Sequence, residues 1–151
     1  MARRWLTQRS QLPADVLSGV LFKPRNNSLS VYKVEPDRKN AARVLAAIGS
    51  KASMIDHVDC IFFDETIVRT IGIKIERTAG ATPDRVANEW HLDLTDLSAT
   101  QLKILAEELI NRAEMVSFFQ DEILVALRDA DAAGDLDKSL INDKIKKSAG
   151  I

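Results

Sequence analysis

Apolar and polar residues alternate along several stretches of the first two thirds of the chain, and this alternation predicts β-strands. The clearest stretch is residues 67–77, where Ile71, Ile73 and Ile75 are separated by single polar or small residues. Side chains two positions apart on a strand lie on the same face, so one face of the sheet is expected to be buried. The predicted strands are residues 16–23, 29–35, 57–63, 67–77 and 89–95. We therefore expect an antiparallel sheet of four to five strands, drawn mainly from residues 16–95.

A spacing of three to four residues between apolar positions predicts a helix over residues 37–48. Asp37 has the chemistry of a helix N-cap, and Gly49 has the chemistry of a helix stop. The apolar residues at helical spacing are Ala41, Val44, Leu45 and Ile48. The sequence thus predicts one helix that crosses the sheet.

The last third of the chain is predicted to be helical. Ser98 and Gln101 have the spacing of a capping box, which starts a helix. Apolar residues then recur with a seven-residue period, and no Gly or Pro interrupts the segment. Residues 98–133 are therefore expected to form one helix of about 50 Å, at 1.5 Å per residue, or two helices that break near Asn111 and Arg112.

The apolar residues of this helical segment occupy a wide arc, which is usually covered on more than one side. We expect one side to pack on the sheet and another to pack on a second subunit, most simply in a two-fold homodimer. The alternative is that a single chain covers the whole arc. The residues expected on the oligomer face are Leu102, Leu105, Leu109, Val116, Phe119 and Ile123.

The composition fits a single globular domain, because 46% of the 151 residues are hydrophobic and 28% are charged. No stretch without a charged residue exceeds seven residues, so no segment is predicted to span a bilayer. The single cysteine, Cys60, cannot form an internal disulfide and is expected to be a small buried apolar residue. The basic start of the chain lacks the apolar core of a secretory signal, so we expect a cytoplasmic location.

The formal net charge of -1 conceals a gradient along the chain. Residues 1–51 carry ten basic and three acidic residues, a net charge of +7, whereas residues 52–100 and 101–151 carry net charges of −5 and −3. We interpret residues 1–15 as a basic N-terminal arm. A basic region binds an acidic protein or a nucleic acid, or it neutralises the acidic remainder of its own fold. The candidate residues for such a surface are Arg3, Arg4, Arg9, Lys23 and Arg25.

Two copies of the pattern H-x-D offer candidate metal ligands. His57 and Asp59 lie on one predicted strand, and His91 and Asp93 lie on another. If the two strands adjoin, these four side chains supply the mixed nitrogen and oxygen ligands of a divalent transition metal. A metal ion there would lower the pKa of a bound water and generate a hydrolytic nucleophile. The alternative is that each Asp forms a hydrogen bond with a neighbouring group.

These features favour a single α+β domain over residues 1–151, with a sheet-rich part over residues 16–95 and a long helical part over residues 96–151. The expected function is that of a non-catalytic, oligomeric binding or adaptor component of a larger cytoplasmic assembly, without a cofactor. We expect self-association through the C-terminal helices and an acidic partner for the basic third. The first alternative is a small metal-dependent hydrolase that uses the two H-x-D pairs. The second is a nucleic-acid-binding protein that uses the basic N-terminal third.

Overall fold

The computed structural model describes residues 27–151, which contain five strands and six α-helices. The strands are β1 (Leu29–Tyr32), β2 (His57–Phe62), β3 (Lys74–Arg77), β4 (His91–Thr95) and β5 (Glu114–Phe119). The helices are α1 (Ala41–Gly49), α2 (Glu65–Ile71), α3 (Arg85–Glu89), α4 (Ala99–Arg112), α5 (Gln120–Ala132) and α6 (Asp143–Ala149). A 3₁₀ helix, Lys138–Leu140, lies between α5 and α6. The fold is a mixture of α-helices and antiparallel sheets, as the sequence predicts at the level of fold class.

The five strands form two separate sheets. The three-stranded sheet has the order β1-β4-β3, and Leu94 of the central strand lies opposite both Leu29 and Ile75. The second sheet contains only β2 and β5, which are antiparallel. The prediction of one sheet with four to five strands is therefore wrong for the described residues, because β2 pairs with a strand from the last third of the chain. The strand predicted over residues 16–23 lies outside the described residues.

The stretch 67–77, predicted as one strand, is a helix followed by a strand. The Asp64 carboxylate accepts a hydrogen bond from a first-turn amide at 2.7 Å and caps α2, and Gly72, with a φ of 78°, ends it. α2 buries Ile67 and Val68, so the apolar residues follow helical spacing before β3 begins. The alternating isoleucines cross the boundary between the two elements, and the strand prediction extended too far for that reason.

A strand also interrupts the last third of the chain, which was predicted to be entirely helical. The capping box of Ser98 and Gln101 is confirmed at the start of α4, and this helix ends at Arg112, beside the predicted break. The chain then forms β5, whose aromatic and β-branched residues suit a half-buried sheet. Because Val116 and Phe119 lie on this strand, the seven-residue period continues through a segment that is not helical.

The helix predicted over residues 37–48 begins later, at the start of α1. The residues before it form a turn, in which the Asp37 carboxylate accepts the Lys39 amide at 3.0 Å and Arg38 has a φ of 60°. Asn40 then occupies the N-cap position of α1. The prediction of a single helix among the strands is wrong, because α2 and α3 lie there as well. No helix in the described ranges is long and apolar enough to cross a bilayer.

Two clusters of buried apolar side chains form the interior. The first cluster lies between the three-stranded sheet and helices α2 and α4, with Leu94 and Leu105 among its most buried members. The second cluster joins α1, α5 and α6 to the two-stranded sheet, with Ile123 and Leu127 near its centre. Of the three α-helices in the last third, α4 thus packs into the first cluster, and α5 and α6 pack into the second.

The residues predicted to form an oligomer face are divided between these clusters. Four of them are at most 7% exposed: Leu102, Leu105, Leu109 and Ile123. Val116 is half-buried on β5, and only Phe119, at 64%, is strongly exposed. The prediction that these six residues form one oligomer face is therefore wrong, since α4 and α5 bury their apolar sides within the chain.

Candidate binding cleft

A cleft of about 550 Å³ lies beside β1. It is lined by residues 31–36, in β1 and the chain that follows, and by residues 62–65, between β2 and α2. Its floor consists of apolar side chains of the first cluster or packed against that cluster: Val31, Val68, Ile75, Leu92 and Leu94. A cavity of this volume with an apolar floor is typical of a ligand-binding site.

Arg38 connects two parts of the cleft wall. Its Cζ atom lies 4.4 Å from the centroid of the Phe62 ring, and its Nη2 donates a hydrogen bond to Glu114 Oε2 at 2.5 Å. Phe62 and Glu114 are opposite each other in the register of β2 and β5. The left-handed φ of Arg38 and the bond from its amide to the Glu35 carbonyl, at 2.8 Å, fix the turn that carries the guanidinium. The hydrogen bond to Glu114 raises the pKa of Arg38, so this contact involves a charged guanidinium.

The rim of the cleft carries charges of both signs. Hydrogen bonds from Thr66 lower the pKa of Asp64, and the positive charge of Arg112 contributes to the same shift. The basic residues in the lining are Lys33, Arg38 and Arg112, and the acidic residues are Glu35, Asp64, Glu65 and Glu114. These seven residues carry a formal net charge of −1. The cleft therefore combines an apolar floor with a slightly acidic rim.

The first H-x-D pair lies on β2, in the two-stranded sheet. Asp59 is 5% exposed and accepts a hydrogen bond from Ser117 Oγ, at 2.5 Å, across the strand pair. His57 Nδ1 lies 3.4 Å from a carboxylate oxygen of Asp56. The Asp59 carboxylate thus stabilises the pairing of β2 with β5.

The second H-x-D pair lies on β4, in a hydrogen-bonded cluster of the three-stranded sheet. The Thr78 hydroxyl donates to Asp93 Oδ2 at 2.7 Å and lies 2.9 Å from His91 Nδ1. Ser30 Oγ donates to the other carboxylate oxygen of Asp93 at 2.9 Å. The Tyr32 ring packs edge-on against His91, and its burial, together with the charge of Asp93, raises the pKa of Tyr32. Asp93 is therefore held by two hydroxyl donors.

The two pairs do not come together as the metal hypothesis requires, since they belong to different sheets. Residues 27–151 contain no group of three or more His, Cys, Asp or Glu side chains that could hold a metal ion. The predicted basic surface of Arg3, Arg4, Arg9, Lys23 and Arg25 lies outside the described residues.

A partly buried ion-pair network joins α1 to α3 and to the chain after α5. Arg43 Nε and Nη2 donate to the two oxygens of Asp84 at 2.6 and 2.9 Å, and Nη2 also donates to Asp135 at 2.8 Å. Asp84 is 1% exposed and additionally accepts the amides of Val86 and Ala87 at the start of α3. The sequence contains a capping signal at Asp84, but nothing in it indicates the distant arginine.

Sequence reasoning did not find the cleft, because its lining comes from separate stretches of the chain. Phe62 and Phe63 were interpreted only as strand residues, and Arg38 was assigned to a helix. The one local signal in this region is Asp64, an N-cap residue that directly follows an apolar strand. It marks the boundary between β2 and α2.

Comparison with known proteins adds no relative: no family model, no curated protein and no solved structure matches the chain.

Proposed function

We propose that this chain is a non-catalytic binding or adaptor component of a larger cytoplasmic assembly, and that the cleft beside β1 is its binding surface. The observation that carries the proposal is the cleft itself, a space of about 550 Å³ whose apolar floor continues into the first core cluster. An apolar floor of this kind gains free energy when a ligand removes it from water.

The charged side chains around the cleft support a binding role because several of them hold its shape. Arg38 is paired with Glu114, Asp64 caps α2, and Arg112 is paired with Glu108 at 3.1 Å. A surface whose side chains are already ordered loses less conformational entropy when a partner binds. These contacts therefore favour the binding of a partner at the cleft.

Self-association is part of the proposal, through exposed apolar side chains, among which Phe119 is the only one of the six residues discussed above. Large apolar side chains remain exposed in the last third of the chain: Ile104, Phe119, Val125 and Leu140. Exposed apolar side chains favour contact with another protein surface. Sedimentation equilibrium is expected to show a dimer that Phe119→Ser and Val125→Ser weaken. A monomer at every concentration would contradict self-association and leave the role of the cleft untouched.

Native mass spectrometry of the full chain, isolated gently from its own cells, tests the binding role. We expect a retained partner or ligand in the wild-type protein. Leu92 lines the cleft. Leu92→Lys is expected to abolish retention of the partner or ligand, because the lysine side chain would run through the cleft to place its charge in water and would occupy the binding space.

Leu92→Met is the matched control, since it keeps an apolar side chain of similar volume and is expected to retain the partner. Circular dichroism establishes that both variants are folded. Identical spectra of bound species for the wild-type protein and both variants would show that the cleft is not the binding surface.

A further inference from the structure

We propose that the cleft binds a small amphipathic carboxylic acid, with its carboxylate at the Arg38 guanidinium and its aliphatic chain on the apolar floor. This inference rests on the proposed binding function and names the class of ligand involved. It is carried by an ordered guanidinium that lines the same cavity as a floor of aliphatic side chains.

One face of the three-stranded sheet supplies most of the floor. Val31 lies opposite Leu92, and Leu94 lies opposite Ile75, so these four side chains share one face of the sheet. Val68 of α2, which belongs to the same core cluster, also lines the cavity. All five side chains are aliphatic and offer no hydrogen-bonding group. The floor therefore suits the hydrocarbon chain of a ligand, which gains free energy when it leaves water.

The Arg38 guanidinium is held in place while most of its donors remain unused. Its Cζ atom lies 4.4 Å from the Phe62 ring centroid, and its Nη2 donates to Glu114. A guanidinium has five N–H donors, and this is the only hydrogen bond that the Arg38 side chain makes among residues 27–151. A carboxylate is the group that the fork of a guanidinium binds best, through two parallel hydrogen bonds.

The acidic residues on the same wall are already engaged. Glu114 accepts the Arg38 donor at 2.5 Å, and the Asp64 carboxylate accepts an amide of the first turn of α2 at 2.7 Å. Glu65 forms an ion pair with Arg69, one turn further along α2. The unused donors of Arg38 are therefore the part of this wall that is best suited to an anionic ligand group.

The remaining charges of the lining limit the charge of the ligand. Arg112 donates to Glu108 at 3.1 Å on its own helix. Lys33 and Glu35 each lack an ion-pair partner within 4.0 Å among residues 27–151, and their opposite charges offset each other. Because the charged lining has a formal net charge of −1, it repels a singly charged carboxylate less than a phosphate ester with nearly two charges.

Nuclear magnetic resonance of the full chain with decanoate as the probe tests this inference, at concentrations below those at which decanoate forms micelles. Binding is expected to shift the methyl signals of Ile75 and Leu92 and the Nε–H signal of Arg38. Decanamide has the same hydrocarbon chain with an uncharged head and is expected to bind about tenfold more weakly. Decylamine, with a cationic head, is expected to bind more weakly still.

Protein variants separate recognition of the carboxylate from burial of the hydrocarbon chain. Arg38→Gln is expected to weaken decanoate binding about tenfold and to leave decanamide binding nearly unchanged. Arg38→Lys is expected to have an intermediate effect, because lysine keeps the charge but lacks the fork. Lys39→Gln is the matched control, since it removes the same charge from the next residue, which does not line the cleft, and it is expected to bind like the wild-type protein. Circular dichroism establishes that the three variants are folded.

The outcomes distinguish this inference from the proposed function. Equal binding of decanoate and decanamide, or equal losses of decanoate binding in Arg38→Gln and Lys39→Gln, would overturn recognition of a carboxylate by Arg38. Methyl shifts confined to residues outside the cleft, or no shift at millimolar decanoate, would overturn the assignment of the ligand class. Native mass spectrometry with Leu92→Lys still decides the binding role independently, because it detects a retained species of any chemical class.

Discussion

Asp84 combines two structural functions in one carboxylate. It caps α3 by accepting the Val86 and Ala87 amides, and it receives the forked guanidinium of Arg43. Charge-assisted and bidentate hydrogen bonds of this kind are the strong ones in proteins, and breaking a buried pair leaves its other charge uncompensated. The position is therefore expected to be among the most sensitive polar sites in the chain.

Replacement of this carboxylate tests that expectation. Asp84→Asn keeps a good N-cap residue, but it removes the negative charge and one of the two oxygens that accept the Arg43 donors. We expect the free energy of unfolding, measured in urea, to fall by about 2–3 kcal/mol. Asp137→Asn is the matched control, because Asp137 caps the exposed 3₁₀ helix, and its expected loss is below about 1 kcal/mol. Equal losses of unfolding free energy in Asp84→Asn and Asp137→Asn would contradict the conclusion that Asp84 is an unusually sensitive polar site.

Cys60 is confirmed as a buried residue and gives the protein a sensitivity to alkaline pH. It is 1% exposed, and burial raises the pKa of its thiol from 9.0 to about 11. The unfolded thiol ionises first as the pH rises, so the contribution of Cys60 to stability is complete below pH 9 and is lost between about pH 9 and about pH 11. Cys60→Ala is expected to lessen the decline of the unfolding free energy across this interval. If the unfolding free energies of the wild-type protein and Cys60→Ala fall in parallel across this interval, the thiol contributes nothing to the decline.

At the scale of elements, local signals were predictable and long-range pairing was not. The capping box at Ser98 was read correctly from four residues, because capping is a contact within one helical turn. The sequence of β5 also contains strand-forming residues, but its apolar positions fit a helical period equally well. Its conformation is decided by pairing with β2, which lies more than fifty residues earlier in the chain. The cleft depends on the same kind of distant contact, and no pattern in one stretch indicates it.

Gly72 shows how one backbone position separates two elements. With a φ of 78° it ends α2 in the left-handed conformation and allows the chain to begin β3. Gly72→Ala is expected to lower the free energy of unfolding by about 1 kcal/mol, because a side chain disfavours this conformation. Gly72→Asn is expected to lose less, since asparagine tolerates positive φ better than alanine. Urea denaturation of both variants measures the difference, and equal losses would argue against strain as the cause.

At the scale of the whole molecule, part of the charge gradient is neutralised by contacts within the fold. Arg38 and Arg43, from the basic first third, pair with Glu114, Asp84 and Asp135, from the two acidic thirds. The sequence left two interpretations of the basic region open. These contacts agree with the one in which the basic third neutralises acidic residues of its own fold. They also join the edge of the cleft to the two-stranded sheet and α1 to the end of α5.

The path of the chain between the two core clusters predicts a single cooperative domain. β1 and α2 belong to the first cluster and α1 to the second, while α4 and α5 are again divided between them. Because neither cluster is formed by one continuous half of the chain, loss of one is expected to unfold the other. Leu105→Ala in the first cluster and Leu127→Ala in the second are each expected to cost about 2–5 kcal/mol. The methyl signals of Ile73 and Ile145, which report on separate clusters, should disappear at the same urea concentration in each variant. Transitions that separate in either variant would instead divide the chain into two independently stable units.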